Sequence, residues 1–309
     1  MSYSIVIVTY NRCELLKECL ECALNQQLPP THIIVINNAS TDDTKLYLQS
    51  LKNDCLVIRH LKENMGGAGG FYHGLRIAHD LGDEWHLIID DDAMLRPDFV
   101  EEMMQEVIRS RNSWNQEQVQ CLAGTVITAG EIVTDHRQLI TRPGLSFKKI
   151  PAEMYEHHTF YCDTASFCGL MLSDKVVGQI GLPEKNYFIW YDDTEYCLRI
   201  RKYTRIKVVT AAVLDHKVAQ AAESWPRHYT WKDRYGIRNR ILMVRKHGTI
   251  VDRMYNRMNI WINAYLRNVI FNLVHLHKES WKFEIESYKM GVKEARLYPK
   301  YISEAKDNK

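Results

Sequence analysis

The sequence predicts an α/β fold: a mostly parallel sheet with helices on both faces, followed by a C-terminal helical region. Three observations predict it. Strand and helix patterns alternate through the first hundred residues, which marks parallel strands joined by crossover helices. Two of those strands, Ile33-Ile34-Val35-Ile36 and Leu87-Ile88-Ile89, are apolar at every position, as strands buried on both faces must be. From about residue 226 the strand signals stop, and a helical pattern runs to the end, broken mainly at Gly248 and Pro299.

The first strand is Ser4–Thr9, a β-branched run with no basic segment before it and no cleavage site after it. It reads as a strand and not an export signal, so a cytoplasmic location is expected. A helix is expected over about 12–25, then strand 32–37, helix 42–52, strand 55–60, helix 68–80 and strand 85–90. Residues 119–225 look mixed, with strands near 119–127 and 206–213, an apolar Phe167–Leu172 segment and a helix opening near Asp192. No repeat or low-complexity linker appears, and no stretch reaches the ~20 apolar residues that a membrane-spanning helix requires.

Ordinary Gly and Pro content with 46% hydrophobic residues excludes disordered and collagen-like classes. The eight Cys are expected to be mostly free thiols, because Cys19-x-x-Cys22 falls on a helical pattern without the second pair a zinc site needs. The net charge of +2 conceals an asymmetry. Residues 226–309 hold 18 Lys and Arg against 8 Asp and Glu, whereas residues 1–225 hold 22 against 30. An acidic body with a basic tail points to a polyanionic partner or a membrane surface.

In an open parallel sheet, ligands bind where the carboxyl ends of the strands meet the loops. Four successive strand ends carry polar or Gly-rich loops: Thr9-Tyr10-Asn11-Arg12, Asn37-Asn38-Ala39-Ser40, Asn64-Met65-Gly66-Gly67-Ala68-Gly69-Gly70 and Asp90-Asp91-Asp92. Three adjacent carboxylates repel unless solvent or a cation offsets them, and a hard divalent ion takes carboxylate and phosphate oxygens together. A solvated turn is the competing reading. The glycine run permits close backbone approach to a ligand and leads into a helix whose N-terminal amides favour anions. It matches neither the dinucleotide fingerprint, since Tyr72 stands where a third Gly would fall, nor a Walker loop.

Downstream, Tyr187-Phe188-Ile189-Trp190-Tyr191 precedes Asp192-Asp193-Thr194-Glu195. Acidic residues in a first helical turn are ordinary caps, but two adjacent Asp after a dense aromatic run also suit a carboxylate base beside a sugar-stacking surface. His216 follows the strand Val208–Leu214; a lone His is usually a satisfied surface or core residue.

Five segments in this order, SIVIVTYNR (Ser4–Arg12), NNASTD (Asn37–Asp42), NMGGAGGFYHG (Asn64–Gly74), DDDAMLRPD (Asp90–Asp98) and WYDDTEYCLR (Trp190–Arg199), resemble inverting family-2 glycosyltransferases of GT-A fold. The resemblance covers about residues 1–240, and the N-x-G-G-x-G-G-F and W-x-D-D-x-E patterns are similar to bacterial galactofuranosyltransferases. It implies a GT-A, Rossmann-like catalytic domain over 1–225 and a basic, aromatic-rich helical region over 226–309. It further implies a nucleotide-sugar donor, a divalent Mn or Mg ion, and a glycan or lipid-linked glycan acceptor. Carried over by position, Thr9, Arg12, Asn37, Asn64, Gly66, Gly67, Asp90 and Asp91 would contact the donor. Asp90, Asp92 and His216 would hold the metal. Asp193 would be the catalytic base, assisted by Asp192, and Trp190 and Tyr191 would receive the acceptor. One position departs: Asn37 stands where the family usually has Asp to accept the pyrimidine N3–H, and an uncharged acceptor contributes only ~1 kcal/mol.

The implied activity is transfer of galactofuranose from UDP-galactofuranose to a cell-surface glycan. Transfer of rhamnose from dTDP-rhamnose, a sugar-nucleotide nucleotidyltransferase and an inert glycan-binding scaffold are the alternatives. In the tail, Arg234, Arg238, Arg240, Arg245, Lys246, Arg253 and Arg257 interleave with Trp231, Tyr235, Tyr255, Trp261, Tyr265 and Phe271. That composition suits peripheral attachment to an anionic membrane face. A solvated helical subdomain or a homo-oligomer interface suits it equally. Nucleic acid is not expected as a partner, since no nucleic-acid module is visible elsewhere.

Overall fold

A computed structural model describes residues 1–112, 118–217, 230–267 and 285–298. The expected break at Pro299 and the tail aromatics Trp225, Phe271 and Tyr301 lie outside those residues. The chain divides into two compact units. The first comprises Met1–Leu139, Lys148–Phe188 and Asp192–Ala219; the second comprises Ile140–Phe147, Ile189–Tyr191 and Gln220–Lys309.

The first unit opens with the alternation read from the sequence: β1 (Tyr3–Thr9), α1 (Cys13–Leu24), β2 (His32–Asn37), α2 (Thr44–Ser50), β3 (Leu56–His60), α3 (Gly66–Leu81) and β4 (Trp85–Asp90). The chain continues through β5 (Ala93–Leu95), α4 (Phe99–Arg111), β6 (Cys121–Thr128), β7 (Glu131–Ile132), β8 (Arg137–Thr141), β9 (Ser146–Lys149), β10 (Thr159–Cys162), β11 (Thr164–Ala165), β12 (Leu170–Ser173), α5 (Asp174–Ile180), α6 (Asp192–Ile200) and β13 (Ile206–His216), with residues 140–147 of β8 and β9 and their turn counted in the second unit. The main sheet runs β10-β13-β6-β12-β4-β1-β2-β3, with β5 on β13 and β7 on β6. Strands β4, β1, β2 and β3 are mutually parallel, while β12 is antiparallel to both β4 and β6.

Alternate residues of the central strands feed opposite cores, because successive side chains of a strand point to opposite faces. Ile5, Ile7, Ile33 and Val35 pack with Leu16 and Leu20 of α1 and Phe99 and Met103 of α4. Val6, Val8, Ile34 and Ile36 pack with Phe71 and Leu75 of α3 and Tyr196 of α6. Helices therefore cover both faces, as the apolar strands predict.

In α3 the glycines set how closely helix meets sheet. A Cβ at Gly70 would lie 2.4 Å from Val8 Cγ1, and one at Gly74 would lie 2.3 Å from Val6 Cγ1. Any larger residue at either position would push the helix off β1.

The second unit holds α7 (Trp231–His247), α8 (Ile250–Trp261) with the turn Ile262–Arg267, and α9 (285–298). A capping box starts α8, where Asp252 accepts from Thr249 N (2.9 Å) and Thr249 Oγ1 (2.8 Å). The same carboxylate accepts from Gly144 N (2.8 Å) and pairs with Arg142 Nη1 (2.5 Å). Arg240 of α7 donates to the carbonyls of Gly144 (2.7 Å) and Leu145 (2.8 Å). One carboxylate and one guanidinium thus fasten the 140–147 segment to two helices. Among the described residues, no helix is long and apolar enough to cross a membrane.

Candidate active site

The four parallel strands end side by side: Thr9 stands opposite Asn37, Asn37 opposite His60, and Val8 opposite Asp90. Their loops form one edge, and a polar network holds it together. Asn38, which the sequence reading did not single out, is buried and donates to Asn64 Oδ1 (3.0 Å) and the Gly66 carbonyl (3.0 Å) while accepting from Met65 N (2.9 Å). Asn64 also accepts from Gly66 N (2.8 Å). Asn64 is therefore a staple between the second and third loops.

Asn37 is buried; its Oδ1 accepts from Ser40 N (2.9 Å), and its amide nitrogen lies 3.1 Å from His60 Nδ1. Its carbonyl has one lone pair left for a base. Within the glycine run, most of the space left by the missing side chains is taken by the protein itself. Gly66 has φ +70°, and a Cβ there would stand 2.0 Å from the Phe188 carbonyl oxygen, which accepts from Ala68 N (3.2 Å). Gly69 is filled by Met65, and Gly70 by Val8. Only Gly67 faces room, its nearest neighbour being Phe71 Cε2 at 3.8 Å.

At the end of β4, Asp92 Oδ1 accepts from His216 Nε2 (3.1 Å), while Arg12 Nη1 donates to Asp92 Oδ2 (2.6 Å) and Asp91 Oδ1 (3.1 Å). Asp90, Asp92 and His216 each present a ligand atom within 4.8 Å of the others. Burial, compounded by Asp92 and Asp91, pushes Asp90 up to about 7. Burial also pushes Asp91 up, to about 6. Burial would raise Asp92 too, but His216 and Arg12 outweigh it and hold that carboxyl below its ordinary value. His216 is correspondingly raised: burial opposes its charge, but the bond to Asp92 and the charges of Asp92 and Asp90 prevail. Two carboxylates and an imidazole with ligand atoms this close fit a divalent ion of the Mn or Mg kind.

Asp192 and Asp193 open α6. Burial, then the neighbouring Asp193, raises Asp192 well above the carboxylate range, and Asp90 adds to it, so the two acidic groups share one electrostatic environment. Asp193 is raised chiefly by burial, although it accepts from Thr194 N (2.5 Å) and Thr194 Oγ1 (3.0 Å).

Two basic residues beside this cluster have no motif of their own. Arg137 is fully buried and donates to the carbonyls of Gly124 (3.0 Å), His136 (2.9 Å) and Cys168 (2.9 Å), with its charge acting on Asp193. His136 meets His216 edge to face at 5.2 Å, and burial, then Arg137 and His216, pushes it down to about 3. A buried charged residue at the start of a short strand was the available signal for Arg137; His136 had none.

Trp190 and Tyr191, the expected acceptor residues, belong to the second unit. Their φ values, +65° and +67°, follow +66° at Phe188, and bulky residues adopt this region only under constraint, at a cost of roughly 1–3 kcal/mol each. The constraint is Asn239 of α7, which donates to the carbonyls of Ile189 (2.9 Å) and Trp190 (2.8 Å). Gly236 leaves the space that the Trp190 ring fills, since a Cβ there would lie 2.7 Å from Trp190 Cε3. Arg240 lies 5.8 Å over the Tyr191 ring.

A second histidine–carboxylate group, His79, His86 and Asp174, lies at the opposite end of β4. All eight Cys are free, as expected.

Acid-rich loops at the carboxyl ends of a parallel half-sheet, continued by a mixed half-sheet, are the arrangement of a GT-A fold. Residues 4–168 match the sequence pattern of Glycosyl transferase family 2, and the chain belongs to that family. The dTDP-rhamnosyl transferase RfbF of Shigella flexneri is 25% identical over 282 residues, covering 87% of this chain and 85% of that protein. Galactofuranosyltransferase GlfT1 of Mycolicibacterium smegmatis is 36% identical over 89 residues, 28% of each chain. The crystal structure of GalNAc-T7 with UDP, GalNAc and Mn2+ shares the fold with a TM-score of 0.58 at 12% identity, over 79% of this chain and 48% of that one.

Proposed function

We propose that the chain is an inverting, metal-dependent glycosyltransferase that moves a hexose from a pyrimidine nucleotide donor to a glycan hydroxyl. The observation that carries this reading is the shared charge environment of the Asp90–Asp92–His216 group and the Asp192–Asp193 pair. A divalent ion bound by Asp90, Asp92 and His216 would offset the charge that builds on the leaving diphosphate. Thr9, Arg12, Asn37, Asp91 and the backbone at Gly66 and Gly67 would line the donor site, with Asn64 holding two of those loops in register. Asp193 takes the acceptor proton while the acceptor oxygen bonds to the anomeric carbon, opposite the breaking bond to the diphosphate, so configuration inverts. Its raised pKa makes it a better proton acceptor than an ordinary carboxylate. Asp192 orients the acceptor hydroxyl.

The donor read first is UDP-galactofuranose, supported by the two motifs and the local likeness to GlfT1. The second reading, dTDP-rhamnose, is favoured by the likeness to RfbF along most of both chains. The acceptor proposed is a lipid-linked cell-surface glycan met at the cytoplasmic membrane face. Incubation with each donor, Mn2+ and a lipid-linked acceptor separates the readings. Release of UDP from the galactofuranose donor alone supports the first, release of dTDP from the rhamnose donor alone the second, and release of neither nucleoside diphosphate overturns both.

A further inference from the structure

The helical unit contains a cavity of about 250 Å3 between α7, α8 and α9. Four arginines line it, Arg245, Arg253, Arg257 and Arg296, with aliphatic walls that include Ile241 and Val292. Two of them do structural work: Arg245 Nη1 donates to the Ala295 carbonyl (2.8 Å), and Arg253 Nη2 donates to the Arg245 carbonyl (2.8 Å). Among the described residues, Arg257 and Arg296 have no hydrogen bond or ion pair. This is unusual within its own unit, where Arg142 pairs with Asp252, and Arg234 and Arg238 pair with Glu294. Burial, then the charges of Arg296, Arg253 and Arg257, depress Arg245 below the ordinary guanidinium value.

Beside the cavity-lining face of α8 runs an apolar stripe that faces solvent. Ile250, Met254, Met258 and Trp261 are 73%, 69%, 52% and 51% exposed. At about 100° per residue these four fall on one side of the helix, with Arg253 roughly a quarter turn and Arg257 roughly a sixth of a turn from the centre of the stripe.

We infer that the arginine-lined cavity binds the phosphate head of a membrane lipid, with the apolar stripe of α8 resting in the acyl boundary beside it. Guanidiniums match phosphate oxygens in pairs, and a lipid head supplies the negative charge that the cavity lacks. An apolar stripe next to a basic face is the arrangement of helices that lie in a membrane interface. The inference does not depend on the donor or the acceptor proposed above.

Full-length chain is sedimented with vesicles of phosphatidylcholine alone or mixed with phosphatidic acid, with inorganic pyrophosphate as competitor. Phosphatidic acid vesicles are expected to bind the chain. Arg257→Gln with Arg296→Gln should weaken that binding by about fivefold per removed charge. Arg257→Lys with Arg296→Lys should restore only part of it, since Lys returns the charge without the paired donors, and Met254→Ser with Trp261→Ser should weaken it without touching the cavity. Equal binding to both vesicle types, or no loss in the double Gln variant, overturns the inference. So does pyrophosphate binding as tight as the vesicle binding, which would make the cavity a site for free anions. So does a stripe variant that changes oligomeric state in light scattering, which would make the stripe a contact between copies. Transfer to a water-soluble acceptor is measured alongside; it should be unchanged in every variant, so loss of lipid binding is distinguishable from loss of the proposed activity.

Discussion

Strand β4 carries a histidine–carboxylate group at each end, and the two resolve their charges in opposite ways. At the amino end, Asp174 Oδ1 accepts from His79 Nδ1 (2.5 Å) and His86 Nε2 (2.8 Å), and Ser4 Oγ lies 2.8 Å from the other nitrogen of His86. Burial would raise Asp174, but the two imidazoles outweigh it and hold it below the ordinary carboxylate value. At the carboxyl end, Asp90, Asp91 and Asp92 meet one guanidinium and one imidazole, and two of the three carboxyls are driven upward. Similar donor atoms are thus a finished hydrogen-bond network at one end and an unbalanced acidic site at the other. The type of donor does not mark a functional site; the uncompensated charge does.

The largest effect separating the two ends should come from chelation. Excess chelator should reduce transfer to background, with Mn2+ or Mg2+ restoring it, and Asp174→Ala should respond identically to wild type. Full activity in chelator would remove the metal from the carboxyl end. Next, Asp193→Asn should lower turnover by ~10²–10⁴-fold, roughly 3–5.5 kcal/mol of barrier, with the melting temperature unchanged. As a mere helix cap Asp193 would tolerate Asn almost without loss, so near-normal turnover would end its role as base.

A smaller effect belongs to the amino end. Asp174→Ala leaves the buried Nε2 of His86 without its partner and should destabilise the chain by about 1–3 kcal/mol in urea titration. Turnover per folded molecule should hold. Last, the two ends should separate on acidification. Asp193 is raised, so transfer should fail as pH drops through a value above the ordinary carboxylate 3.8. Asp174 is lowered, so its stabilisation is complete above its unfolded value of 3.8 and is lost only as pH falls through its lower folded value. Between those points Asp174 still holds its two histidines while transfer has already failed; transfer that persists down to pH 3.8 would contradict the raised value at Asp193.

Much of the first unit was legible because one signal repeats. Each of the first four strands has an apolar stretch, ends in a polar loop, and falls within a residue or two of its expected bounds. Helix α4 escaped notice although Phe99, Val100, Met103, Met104 and Val107 keep helical spacing. The aspartates and His216 were readable as motif positions, yet what holds them was not. Arg137 reaches Gly124 and Cys168 from a distant strand, Asn38 joins two loops, and Gly66 makes room for the backbone of Phe188. Such contacts join residues far apart in sequence and leave no local period. At Gly69 and Gly70 the missing side chains make room for Met65 and Val8, which in the sequence looks the same as room for a ligand.

The most direct test of the account is calorimetric titration of UDP and dTDP into wild type, Asp92→Ala and Asp174→Ala, each with and without Mn2+. The account predicts that wild type and Asp174→Ala bind one of the two nucleotides only when Mn2+ is present, and that Asp92→Ala binds neither. Metal-independent binding, or binding that survives in Asp92→Ala and fails in Asp174→Ala, would contradict it.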